Sequence, residues 1–155
     1  MKRVVVMAVM ALACVACSGV DDGASWLAQV TDASARADLL SARPGGRASA
    51  MHELEAALAL PVPDEVAAAD RRAVRQDLWF RVSRLALGGR DDRRALASAE
   101  QGLAEGEADD VFFANLLVAR GRAREALGRD HEASDDYYRA LVLNEKLMNA
   151  ALRGR

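Results

Sequence analysis

The stretch GRDHEASDDYYRALVLN, residues 128–144, decides how this chain is read. Gly128 interrupts a helical run and permits a turn. Ala133 then opens a second run, in which Tyr137, Ala140 and Leu141 follow at offsets of four, seven and eight residues. On an α-helix those offsets share one face. Small side chains at Ala133 and Ala140 let a neighbouring helix backbone come close, while Tyr137 and Leu141 supply apolar area between them. This is the packing face of a helical hairpin.

The same offsets recur upstream, at Ala50, Leu54, Ala57 and Leu58 and again at Ala95, Ala99, Gly102 and Leu103. The three anchors Ala50, Ala95 and Ala133 lie 45 and 38 residues apart, so the chain repeats itself with insertions. The pattern resembles the tetratricopeptide repeat, a helix-turn-helix unit of about 34 residues. Its second helix carries a small residue, an aromatic four on, and Ala-Leu three and four further. Gly128, Glu132, Ala133, Tyr137, Ala140, Leu141, Leu143 and Asn144 match that pattern, as do Leu117 and Gly121 in the helix before. Arg120 and Arg124 depart from it, standing where the family has apolar or aromatic residues. The resemblance implies an all-α fold: a solenoid of stacked helical hairpins, about six helices in all.

Working outward, a first helix is predicted from Ser25, its N-cap, with Trp26, Leu27, Val30, Ala33, Ala37 and Leu40 as the apolar stripe. RPGG at 43–46 ends it, because Pro44 disfavours helix before itself and the glycines permit a left-handed turn. A second helix spans about 47–60 and stops at PVPDE. Asp64 caps a third over about 65–87, bearing Val74, Leu78, Trp79, Val82, Leu85 and Ala86. Asp91 or Asp92 caps a fourth helix to about 104, Asp109 or Asp110 caps a fifth, and a sixth runs from about 130 toward 152. Basic residues at its end suit the negative pole of the helix.

Residues 1–16 read as a signal peptide, with Lys2 and Arg3 followed by an apolar run too short to span a bilayer as a mature helix. CVACSG, residues 14–19, resembles a bacterial lipoprotein box with small Ala16 before the acceptor Cys17 and Ser18 and Gly19 after it. Cys14 stands where that family has Leu, and ALAC ending at Cys14 is a competing site. The resemblance implies a triacylated, palmitate-bearing Cys17, a tether over 17–24 and a helical-repeat domain over 25–155. Each buried acyl CH₂ contributes about 0.8 kcal/mol, and stable anchoring takes more than one chain. A residue other than Asp at Ser18 implies sorting to the outer membrane, periplasmic side. The alternative is an ordinary signal peptide cut nearby, releasing a soluble protein.

The chain has 155 residues, a formal net charge of −2 and both signs interspersed, which argues against a nucleic-acid partner. A catalytic constellation is not legible. His52 and His131 fall in different hairpins, no cysteine follows Cys17, and zinc spacings, phosphate loops and nucleophile elbows are missing. The pairs Asp91–Asp92, Asp109–Asp110 and Asp135–Asp136 read as two helix caps and a solvent face, not as metal ligands. The reading calls for no cofactor and no enzyme activity.

Recognition surfaces carry more of the expectation. In the family resembled, first helices line a concave groove. Carried over, this places Asp77, Phe80 and Arg84 from one unit beside Asn115, Val118 and Arg122 from the next. Arg84 and Arg122 occupy equivalent positions and suit carboxylates. Phe80 replaces the Lys of the family's carboxylate clamp, so capture of a chain terminus is not implied. Phe112 and Phe113 read as contacts with the preceding hairpin. The function expected is a lipid-anchored protein–protein interaction scaffold of the Gram-negative envelope, with another envelope protein and the bilayer at Cys17 as partners. It resembles the tetratricopeptide lipoproteins that act as pilotins, assembly-complex subunits or hydrolase adaptors. The competitors are a small-ligand binder or enzyme with a pocket walled by Trp79 and Arg84, and a helical bundle without repeat curvature.

Overall fold

A computed structural model describes residues 22–154, and within them every regular element is an α-helix. In chain order these are α1 (Asp22–Ser41), α2 (Arg47–Leu58), α3 (Ala68–Gly88), α4 (Asp92–Ala104), α5 (Val111–Ala126) and α6 (Asp130–Arg153). The leader, Cys14 and Cys17 lie outside the described residues. No helix among those described is long and apolar enough to cross a membrane.

Neighbouring helices pair as α1 with α2, α3 with α4 and α5 with α6, while α2 packs on α3 and α4 on α5. The first helices α3 and α5 also meet directly. This is the expected stack of hairpins. Gly45 and Gly128 turn the chain at φ +75° and +73°, a conformation that L side chains adopt only with strain. Asp91 accepts from the Arg94 amide at 3.1 Å and Asp110 from the Phe113 amide at 2.9 Å, so both act as N-caps.

Two helix starts differ from expectation. Ser25 is not a cap, because α1 already begins at Asp22, whose carboxylate sits in the first turn where the helix dipole favours it. Part of the expected tether is therefore helical. Nor does Asp64 cap α3: the chain turns at 64–66, and α3 starts at Ala68 after an extended Ala67 without a side-chain cap.

Burial follows the repeated offsets in the first two units. Ala50, Leu54, Ala57 and Leu58 are all buried, as are Ala95, Ala99 and Gly102. Leu103 packs against Phe113 and Leu117 of α5. A Cβ on Gly102 would lie 2.5 Å from a Leu116 methyl and 2.9 Å from Trp79 Cβ, so α4 takes the next hairpin at van der Waals range only because that side chain is missing. In the last unit Ala133 and Ala140 are buried and Tyr137 is half-buried over Gly121, but Leu141 is 65% exposed. Leu141 is the counterpart of Leu103, and no described helix follows α6 to cover it. The expected packing face thus keeps Ala133, Tyr137 and Ala140, loses Leu141 and gains Asp136 and the half-buried Leu143.

Candidate functional site

The contact between α3 and α5 leaves a crevice of about 200 Å³ lined by Phe80, Arg84, Leu87, Asn115, Val118, Ala119 and Arg122. Five of the six residues expected to share a groove are therefore neighbours. Their convergence follows from the repeat. Phe80 and Arg84 lie one turn apart on α3, and Val118 and Arg122 lie one turn apart on α5 at positions 38 residues on, so packing the two helices side by side brings both pairs together. The Arg84 guanidinium carbon sits 5.9 Å from the centroid of the Phe80 ring, within range of a cation–π contact. Neither Arg84 nor Arg122 takes part in an ion pair or hydrogen bond among the described residues.

Asp77 is the exception. It does not line the crevice but stands beside Arg81, its neighbour one turn on, with their charged atoms 4.0 Å apart. Arg81 reaches to α1, where it meets the Asp38 carboxylate and the Ser34 carbonyl. Burial raises the Asp77 carboxyl above the ordinary aspartate range, against the opposing pull of Arg81 and Arg84. Trp79 is also elsewhere: its indole donates to Glu105 at 3.2 Å and its Cβ abuts Gly102. Among the described residues Trp79 and Arg84 therefore do not line one crevice, as the competing small-ligand reading would require.

The largest surprise lies inside the α5–α6 hairpin. Asp136, read from sequence as half of a solvent-facing pair, is only 1% exposed. Arg120 donates to it through Nε at 2.9 Å and Nη2 at 2.5 Å, and Arg124 donates through Nη1 at 2.7 Å. One carboxylate thus holds two guanidiniums, the first in a forked, two-point contact. The departure of Arg120 and Arg124 from the apolar pattern was the available signal. Two arginines one turn apart on a face that should be buried require an acid on the partner helix.

This architecture has a counterpart among solved structures. A crystal structure of a TPR-like protein from Chlorobium tepidum aligns over 79% of this chain and 83% of its own, at 20% identity and a TM-score of 0.61. The fold is tetratricopeptide-like. No protein-family model and no curated protein matches the chain.

On this tetratricopeptide-like frame a second concavity, about 650 Å³, opens between the loop before α5 and the outer side of α6. Phe113, Leu117, Tyr138, Val142 and Leu143 form its apolar part, and Arg139–Glu107 and Lys146–Asp109 ion pairs cross it. Phe113 is buried and Phe112 half-buried, so the aromatic pair contributes mainly to packing. Among the described residues no group of three or more His, Cys, Asp or Glu side chains converges to hold a metal ion. His52 and His131 are both exposed.

Proposed function

We propose that this protein is a non-catalytic interaction scaffold of the Gram-negative envelope, tethered by an acylated Cys17 to the periplasmic face of the outer membrane. Its α3–α5 crevice grips another envelope protein. The observation that carries the reading is the crevice itself: two arginines outside any ion pair or hydrogen bond among the described residues, beside an apolar floor of Phe80, Leu87 and Val118, on a fold whose hairpins stack to leave such surfaces. Polar groups left unpaired at an open apolar surface favour a protein partner over a small ligand held in an enclosed cavity. A role like that of a pilotin or an assembly adaptor fits this description, the tether supplying location and the crevice supplying contact.

Affinity capture from gently solubilised envelopes tests the crevice. A partner retained by the native protein is expected to be lost with Val118→Glu, which places an acid in the apolar floor. Identical retention by the variant refutes the reading. Fractionation tests the anchor: Cys17→Ser is expected to move the protein from the membrane fraction to the soluble periplasm, and a variant still held by membranes after a salt wash counts against acylation.

A further inference from the structure

We infer that the cavity at the start of α3, lined by Arg71, Arg72 and Arg75, binds a phosphate group, free or carried on a lipid headgroup. It is separate from the α3–α5 crevice and shares no lining residue with it. About 540 Å³ in volume, it lies between the first turns of α3, the α2–α3 connection at Val62 and the α4–α5 connection at Gly106. Charge is the first argument. Three arginines line the cavity against one acid, Glu105, although the whole chain carries a net charge of −2. That acid is already engaged: it accepts from Arg75 Nε at 2.8 Å and from the Trp79 indole at 3.2 Å. Arg75 also donates through Nη1 to the Leu58 carbonyl at 2.9 Å. The other two arginines are not matched in this way. The Arg71 side chain takes part in no ion pair among the described residues. Arg72 comes only within 3.8 Å of Asp110, too far for a hydrogen bond, and its Nε is buried without an acceptor. A buried donor left unmade costs free energy, which an oxyanion entering the cavity relieves.

Position supplies the second argument. Arg71 and Arg75 lie one turn apart on α3, with Arg72 beside them, so the helix brings all three to one side. The Arg72 stem is held against the α4–α5 connection, where a Cβ on Gly106 would lie 3.3 Å from Arg72 Cδ. Gln76 in turn fastens that connection by donating to the Gly106 carbonyl at 2.7 Å. The Arg72 guanidinium is thus placed before any ligand arrives. Ala68, the first residue of α3, lines the same cavity, and no side chain caps that helix start, so first-turn amides add donors at the positive end of the helix. A carboxylate offers two oxygens in one plane. A phosphate offers its oxygens in a tetrahedral array, which suits donors that arrive from two side chains and a helix start. The volume is that of a small-molecule cleft, so room remains for an organic group carrying the phosphate. Val62 also lines the neighbouring cavity that reaches Asp22, the first residue of α1. Cys17 precedes Asp22 by five residues, so acylation there brings headgroups close to this edge; the lipid source, unlike the site itself, rests on the anchor reading.

Isothermal titration calorimetry on the full chain at low salt tests the site, with sn-glycerol 3-phosphate as the probe and inorganic phosphate and acetate for comparison. Both phosphates are expected to bind and acetate is not. Each of Arg71→Gln and Arg72→Gln is expected to weaken glycerol phosphate by about tenfold, a hydrogen bond to a charged group being lost each time. Arg93→Gln, at an exposed arginine of α4 outside the cavity, is expected to leave binding unchanged. Arg71 is exposed, so its variant keeps the fold, and circular dichroism verifies Arg72→Gln. No binding of either phosphate, acetate bound as tightly, binding unmoved by both cavity substitutions, or equal weakening in Arg93→Gln overturns the inference. Sedimentation with phosphatidylglycerol vesicles separates the two sources, using Cys17→Ser so that no acyl chain takes part. Retention that falls with Arg71→Gln assigns the phosphate to a lipid; calorimetric binding without that fall assigns it to a soluble phosphate compound. Fractionation of Cys17→Ser alone tests the anchor without touching the arginines, so the anchor and the phosphate site can fail separately.

Discussion

The second and third hairpins solve the same packing problem with different chemistry. Shifting the sequence by 38 residues sets Val82, Ala86 and Ser98 of the α3–α4 seam against Arg120, Arg124 and Asp136 of the α5–α6 seam. In the first case the seam is apolar or small: Val82 and Ala86 are fully buried, and neighbouring Ser83 donates to the Ala95 carbonyl at 2.8 Å. In the second, the same positions hold two cations around one buried anion. Equivalent backbone geometry therefore does not require equivalent interactions. An ion network in place of an apolar seam carries a desolvation cost that its own hydrogen bonds must offset, and it tolerates the loss of a partner far less well.

Asp136→Ala breaks the comparison most severely. It leaves Arg120 without its acid and Arg124 with only Glu132, 3.4 Å away, and a loss toward the lower end of about 3–5 kcal/mol is expected because of that remaining contact and because the arginine side chains keep some contact with water, at 17% and 15% exposure. The equivalent Ser98→Ala in the apolar seam should change stability far less. Urea unfolding of both variants checks the contrast, and equal losses would show that the network is not what holds the third hairpin.

The small-residue contacts separate next. Gly102→Ala drives a methyl into Leu116 and Trp79, which are fixed in the middle of the stack, and should cost about 1–3 kcal/mol. Gly121→Ala meets the Tyr137 ring at 2.6 Å, but that ring is half-buried at the edge and can swing outward. Its net change should be near zero, because Ala in place of Gly also favours helix by about 0.5–1 kcal/mol. Thermal melts of the pair rank the two contacts.

Tyr137→Phe should cost less than Gly102→Ala, and its effect depends on pH. Burial against the helix and the 2.7 Å hydrogen bond that the phenol donates to Glu125 raise its pKa to about 12. A phenol bound more tightly to its proton in the folded state contributes stability that is complete below its ordinary pKa of 10.0 and is lost as pH rises toward about 12. Melting temperatures of the native protein and Tyr137→Phe should therefore converge as pH goes from 9 to about 12. At the end of the stack, Leu141→Ser is expected to stay within about 0.5 kcal/mol of native, whereas Leu103→Ser, at the covered counterpart, should lose substantially more.

Much of this architecture was legible in residue order. Offsets at Ala50, Ala95 and Ala133 marked the second helices, the pairs Asp91–Asp92 and Asp109–Asp110 marked helix starts, of which Asp91 and Asp110 make the caps, and the 38-residue equivalence of Arg84 with Arg122 anticipated that both would face one crevice. Those features depend on helical periodicity and on capping, which act within a few residues. The same local logic grouped Asp77 with these residues without foreseeing that it stands beside Arg81, which binds Asp38 on a helix far away in sequence.

The sequence by itself determined where helices run, which side chains share a face and which positions repeat. Tertiary structure alone decided what covers each face. Asp136 is buried because Arg120 and Arg124 approach from the opposite helix, and Leu141 is exposed because α6 has no described successor to play the part that α5 plays for Leu103. Burial is a property of what lies across a gap, and a helix encodes its own periodicity without encoding its neighbour.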